Sequence, residues 1–209
     1  MKFKYPELRI LVFARMPVAG QVKTRLEPGL GPVATLSLYQ AMLKRVLTTA
    51  EHTDLAPMEL WLAGTSVTND QHWPGPGLAW YRQQGDSLGE RMAHAARNAL
   101  TRARGVVIIG TDCPALDRQY LGLALARLAQ GHEVVIGPAE DGGYVLLGLG
   151  SPMEMLFRDI PWGTDRVLAL SLQRLAEAGV NPALLPTLWD VDRPCDLERL
   201  ASLQPPLVY

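Results

Sequence analysis

Lys23 and Arg25 stand one residue apart in "GQVKTRL" (20–26), just after the apolar run "LRILVFA" (8–14). A lysine supplies a point charge, and an arginine supplies a fork that grips phosphate oxygens in pairs. Gly20 lets the backbone turn or approach a ligand closely, and backbone N–H groups in such a loop add to an anion site. The stretch therefore reads as a phosphate cradle, although a solvated loop joining strand to helix could carry the same residues. Asp112 closes the apolar run in "IIGTDCP", where a strand-end carboxylate can hold Mg²⁺ or Mn²⁺ or simply accept hydrogen bonds in the turn. Cys113 beside it has no histidine nearby in sequence to act as a base, so it reads as a small buried apolar group.

Other acids fall at similar places. "WDVDRPCDLERL" offers Asp190, Asp192 and Asp196. Asp192, two residues before Pro194, suits a helix start and can also serve as a second metal ligand. Glu140 and Asp141 precede the Gly142–Gly143 pair, which marks a tight turn. These carboxylates could orient or deprotonate an acceptor, or face water. Trp162 precedes Thr164 and Asp165 at an expected helix start; Thr164 suits a cap, and Trp162 faces either substrate or core. Asp86 and Ser87, followed by Gly89, can cap a helix or line a nucleotide pocket. "GLGPVA" (29–34) matches a dinucleotide pattern, but the strand ends near Ala14, too far upstream for that fingerprint. His52, His72, His94 and His132 show no metal-ligand spacing.

The elements that must position these residues alternate along the chain. Strands are expected at 8–14, 58–64, 78–83, 105–111, 133–139 and 143–149. Helices are expected at 32–50, 88–103, 118–130 and 164–179, with Asp86 or Ser87, and Asp117, as N-caps and Gly179 as a C-terminal cap. The segment 180–191 reads as partly extended, 194–203 as a final helix, and "NDQHWPGPG" (69–77) as a loop. Continuous apolar strands alternating with helices predict an α/β fold, with a mainly parallel sheet covered on both faces. No linker suggests a second domain, so residues 1–209 are expected to form one. Ligands in such folds bind beyond the carboxyl ends of the strands, which is where the cations and acids above fall.

The bulk composition narrows the function classes. The chain has 209 residues, with 20 Lys plus Arg against 21 Asp plus Glu, a net charge of -1. No global basic field exists to hold nucleic acid, so no nucleic-acid partner is expected. The two cysteines are too few for a disulfide framework or a cysteine metal cage. No secretory leader and no run of about 18 apolar residues is visible, so a cytoplasmic protein without a membrane span is expected.

Taken together, "FARMPVAGQVKTRL", "GDSLGERM", "GTDCPAL", "GPAEDGGYVLLGL", "WGTDRVL" and "LWDVDRPCDLERL" resemble the bacterial glycosyltransferase-A-like family labelled selenodomain-associated transferase. The resemblance runs from about Leu11 to Leu200. It implies a single Rossmann-like, glycosyltransferase-A-type domain of the nucleotide-diphospho-sugar transferase superfamily, with a mixed sheet. It also implies a Mg²⁺ or Mn²⁺ cofactor, a nucleotide-activated donor and a small-molecule acceptor. "KTRLEPGLGP" further resembles the phosphate loop of 2-phospholactate guanylyltransferase. "DVDRPCDL" resembles the "D-x-D-T-P-E-D-L" segment of sugar nucleotidyltransferases, whose metal-holding acid maps onto Asp192, paired with Asp112.

The combined expectation is a metal-dependent transferase. Gly20, Lys23, Arg25, Asp86 and Ser87 would meet nucleotide and phosphates, and Asp112 and Asp192 the metal. Lys23, Arg25, Glu140 and Asp141 would carry catalysis, and Trp162 and Asp165 would bind the acceptor. Glycosyl transfer from a nucleotide sugar is placed ahead of nucleotidyl transfer with pyrophosphate release. A non-catalytic nucleotide-binding protein is the third alternative.

Overall fold

The computed structural model describes residues 2–51, 54–64 and 78–209. His52, His72 and the expected loop at 69–77 lie outside the described residues. Among the described residues seven strands form one sheet: β1 (Leu8–Arg15), β2 (Met58–Ala63), β3 (Trp80–Arg82), β4 (Gly105–Ile109), β5 (Val134–Pro138), β6 (Tyr144–Leu149) and β7 (Ala183–Leu184). Their order is β3-β2-β1-β4-β6-β5-β7. Only β6 runs antiparallel to its neighbours β4 and β5; the other pairings are parallel. The expected mixed, mainly parallel sheet is present. Because β6 is reversed, its first residue lies at the same sheet edge as the carboxyl ends of the other strands.

The apolar runs are continuous because both faces of the sheet are covered. Ile10 and Val12 face Tyr39, Leu43 and Val46 of α1 (Glu27–Glu51) and Leu121 and Leu125 of α3 (Arg118–Ala129). Leu11, Phe13 and Trp61 face Met92, Ala95 and Ala96 of α2 (Leu88–Leu100) and Leu175 of α4 (Val167–Glu177). Helix α1 is broken at Gly31 (φ 77°, ψ 161°), just before Pro32, so its regular part starts where the proline predicts. Helix α2 starts with a capping box between Ser87 and Glu90, and α3 is capped by Asp117.

One expectation needs correction. Helix α4 begins at Val167, not at residue 164. The Thr164 hydroxyl instead donates to the Pro161 carbonyl, closing a turn that ends in Gly163 and Thr164. The expected final helix is present at Pro194–Ser202, as a 3-10 helix. Asp196 gathers the N–H groups of Asp192 (2.8 Å) and Arg193 (2.7 Å), which winds its first turn tightly. A third apolar cluster, of Leu26, Leu38, Met42, Val191, Leu200 and Leu203, seats this segment against α1.

Candidate active site

One cleft of about 520 Å³ opens along the carboxyl edge of the sheet, within the range of small-molecule sites. Its walls come from the ends of β1 (Ala14, Arg15) and β2 (Ala63), from Gly110–Cys113 just after β4 and Gln83 just after β3, and from Gly143 and Tyr144 where β6 begins. Lys23, Arg25, Asp190 and Asp192 complete one end, while Leu88, Arg91 and Met92 of α2 meet Trp162 at the other.

Lys23 is the centre of the first end. Its side chain is only 5% exposed, and its Nζ lies 2.8 Å from Asp112 Oδ1 and 3.6 Å from Asp192 Oδ1. The same nitrogen donates to the Val191 carbonyl at 2.6 Å. Arg25 pairs with the other oxygen of Asp192. Buried Val22 and Leu26 anchor the loop on either side. Between them Lys23 adopts φ 49°, a left-handed conformation that costs a non-glycine residue about 1–2 kcal/mol. Gly20 also has positive φ (74°), with no atom within 4 Å of where a Cβ would stand, so its need for glycine is conformational.

Asp190, Val191 and Asp192 approach this end as an alternating strand does. Val191 is fully buried, a side chain whose burial contributes about 1.5–3 kcal/mol, while both flanking aspartates line the cleft. The Val191 N–H donates to the Asp112 carbonyl at 2.8 Å. One buried valine thus fixes two acids against the turn that follows β4. Asp190 has its pKa pushed up to about 6, first by burial and then by the neighbouring charges of Asp141 and Asp112, with Lys23 opposing. Burial likewise pushes the Cys113 thiol up to about 12, which keeps it protonated and unreactive.

Around the cleft, other groups are held in place. The Tyr39 hydroxyl accepts from the Arg15 N–H (2.9 Å) and donates to the Arg15 carbonyl (2.8 Å), fixing the end of β1. Gln83 donates both amide hydrogens, to the Ala14 and Trp61 carbonyls, so its oxygen is left as the acceptor of that side chain. Arg91 is steadied by its Nε bond to the Ser87 carbonyl at 3.1 Å. Trp162 packs edge-on against Tyr144, with centroids 5.9 Å apart. Gly89 lets α2 come up to it: a Cβ there would stand 2.8 Å from Trp162 Nε1 and 2.2 Å from the Phe157 carbonyl oxygen.

Of the residues expected from sequence, the cleft brings together Lys23, Arg25, Asp112, Asp141, Trp162 and Asp192. It does not bring in Gly20, Asp86, Ser87, Glu140 or Asp165. The Ser87 hydroxyl and the Asp86 N–H are engaged with Glu90 at the start of α2. Glu140 turns away to a two-bond pair with Arg199 (2.5 and 3.0 Å), which holds its carboxyl below the usual range. Asp165 acts through its backbone: its carbonyl crowds Gly142, where a Cβ would lie 2.3 Å away. Sequence reasoning missed Arg15, Tyr39, Gln83 and Arg91, and noted Asp190 without giving it a role.

A divalent ion finds a partial site here. Among the described residues no three or more His, Cys, Asp or Glu side chains form a cage for a metal. Asp112 and Asp192 nevertheless lie within 3.6 Å of one nitrogen and are about half exposed. Two hard carboxylates completed by substrate phosphates and water is a common way to hold Mg²⁺, so the residues present fit that arrangement.

Residues 46–164 match the family model described as "Uncharacterized protein conserved in bacteria (DUF2064)". The chain belongs to this family. The match spans more than half of its length, including β2 to β6 and the Asp112 turn. The chain is 32% identical to a solved protein of Desulfovibrio desulfuricans G20 described as a "putative nucleotide-diphospho-sugar transferase", with a TM-score of 0.87 over 93% of this chain and 86% of that one. A cytidylyltransferase from Leptospira borgpetersenii is 16% identical, with a TM-score of 0.60 over 98% of this chain and 89% of that one. Glucosyl-3-phosphoglycerate synthase from Mycobacterium tuberculosis, solved with Mn²⁺, UDP and glucosyl-3-phosphoglycerate, is 11% identical, with a TM-score of 0.57 over 94% and 76%. These last two share the fold, which both glycosyl- and nucleotidyltransferases use. No curated protein matches the chain significantly. Among the described residues no helix is long and apolar enough to cross a membrane.

Proposed function

We propose that this DUF2064 protein is a divalent-metal-dependent transferase that moves a glycosyl group from a nucleotide sugar to a small acceptor. The observation that carries the reading is the Lys23–Asp112–Asp192 constellation at the strand ends. The similarity to the D. desulfuricans protein supports the donor class. The cleft charges add a physical reason. Arg15, Lys23, Arg25 and Arg91 line the cleft with Asp112, Asp141, Asp190 and Asp192, so its cations and carboxylates balance in number. A diphosphate entering a balanced site needs a further counter-cation. Mg²⁺ or Mn²⁺ held through Asp112 and Asp192 would supply it, and would stabilise the charge that grows on the departing nucleoside diphosphate.

The chain's own groups then have distinct tasks. Lys23 and Arg25 bind the donor phosphates. Asp141, whose Oδ1 accepts from the Gly143 N–H at 2.8 Å, orients or deprotonates the acceptor hydroxyl. Trp162 forms an apolar wall on which a sugar can stack. Asp190 adds a second cleft carboxylate, near enough to Asp141 for the two charges to oppose one another.

Nucleotidyl transfer is the second reading. It is favoured by the placing of Asp192 beside Asp112, as the resemblance of "DVDRPCDL" to sugar nucleotidyltransferases implies. A thermal-shift panel of nucleoside triphosphates, diphosphates and nucleotide sugars, with and without Mg²⁺ or Mn²⁺, separates the two, since a ligand of the native state raises the melting point by mass action. A metal-dependent rise with one nucleotide sugar, above that with its triphosphate, supports glycosyl transfer. The reverse order moves the reading to nucleotidyl transfer. No shift with any ligand overturns both.

A further inference from the structure

The surroundings of Lys23 Nζ are those of a bound cation. Three oxygens from two separated segments converge on it: Asp112 Oδ1 at 2.8 Å from one, and Asp192 Oδ1 at 3.6 Å and the Val191 carbonyl at 2.6 Å from the other. The side chain is 95% covered although both carboxylates are about half exposed. It reaches this point from a left-handed backbone, held by Val22 and Leu26. We infer that Lys23 is a built-in counter-cation that competes with the divalent ion for Asp112 and Asp192, so that metal binds firmly only after phosphate has drawn the ammonium away. This rests on the metal-dependent reading above.

The physical argument is electrostatic. The ammonium offsets part of the charge of the two carboxylates that a divalent ion needs, and the attraction of carboxylates for a cation falls when one is already held beside them. A phosphate offers Lys23 another strong acceptor. Lys23 would then bind the donor, and the freed carboxylates would bind the metal. The order is nucleotide first, metal second. Arg25, which pairs with Asp192 from the exposed side, is not enclosed in this way and can follow the phosphate without opening the cage.

The test uses Mn²⁺ alone as the probe, followed by water-proton relaxation, which reports protein-bound Mn²⁺. The wild type should bind Mn²⁺ weakly without phosphate. Lys23→Met should bind it at least about tenfold more tightly, the gain expected from removing one contact charge. The double variant Lys23→Met/Asp112→Asn should lose that gain. Lys23→Gln, which keeps a donor for the Val191 carbonyl, should behave like Lys23→Met and guards against a methionine variant that fails to fold. Adding pyrophosphate should strengthen Mn²⁺ binding to the wild type more than to Lys23→Met. Equal Mn²⁺ affinity in wild type and variants overturns this inference and leaves the metal-dependent transferase standing. No bound Mn²⁺ in any protein, with pyrophosphate present, overturns both.

Discussion

Replacing Asp190 by Asn should stabilise the protein above pH 6 and leave it nearly unchanged near pH 4, in metal-free buffer. Its pKa is raised from 3.8 to about 6 by burial and by the charges of Asp141 and Asp112. The native state therefore holds the Asp190 proton more tightly than the unfolded chain does. Below the unfolded value the group is protonated in both states and costs nothing. Stability is lost as pH rises from about 4 to about 6, and the loss is constant above that. At 1.36 kcal/mol per unit the full shift is about 3 kcal/mol, and solvent screening of this half-buried group brings it to about 1–2 kcal/mol. Urea unfolding of wild type and Asp190→Asn at a series of pH values measures the difference. The gap between the two proteins should open between pH 4 and 6. A gap that stays constant with pH, or one that opens with the opposite sign, would show that the cleft does not burden this carboxylate, and the account of Asp190 as a crowded cleft acid would fall.

Three further perturbations probe the same geometry. Asp112→Asn should abolish the metal-dependent part of donor-induced thermal stabilisation while leaving the fold intact, because the Asp112 backbone carbonyl, not its side chain, accepts from Val191; an unaltered metal effect contradicts its placing at the cation. Gly89→Ala should destabilise by about 1–3 kcal/mol in urea unfolding, the usual range for overpacking, since the new Cβ meets the Phe157 carbonyl oxygen at 2.2 Å. Trp162 should shift with it and alter the tryptophan fluorescence. Glu140→Gln should leave turnover near that of the wild type and Asp141→Asn should lower it, because Glu140 pairs with Arg199 away from the cleft; the opposite ranking in a steady-state assay would restore Glu140 to the chemistry.

The order of strands and helices was legible because burial on both faces leaves apolar runs with little polar interruption, as in "GVVIIG" for β4. The caps were legible because Ser87 and Asp117 precede their helices at the right spacing. The start of α4 was not: Gly163 at φ 79° and the Thr164 hydroxyl close a turn that spacing cannot distinguish from helix. Lys23, Asp112 and Asp192 were legible because residue type and strand-end position together restrict their use. Arg15 and Arg91 were missed because a cation at a strand end or on a helix shows its role only when the register points it at the cleft. Asp190 left a readable signal, since it lies two residues from Asp192 with an apolar residue between them. Glu140 and Asp141 show the limit of such reasoning. They are neighbours in a turn, so the backbone sends them opposite ways, one to Arg199 and one to the cleft.

The fold explains why acids and cations had to meet here. Parallel strands end at one edge, and the reversed β6 adds its first residues to that edge. Residues far apart in sequence, such as Lys23 and Asp192, are thereby brought within 3.6 Å. The closure depends on the C-terminal segment, because Val191 packs with Leu26 and Leu38 and carries its flanking acids to the cleft. The same cluster that anchors the loop of Lys23 and Arg25 at Leu26 anchors Asp190 and Asp192 at Val191. Packing and charge are therefore coupled: a cavity at Val191 would loosen both partners of the Lys23 cage together. The cleft lining so produced carries four cations and four carboxylates, and on the proposed reading a polyphosphate would enter it together with another cation, so that donor and metal requirements would arise from one arrangement of charges.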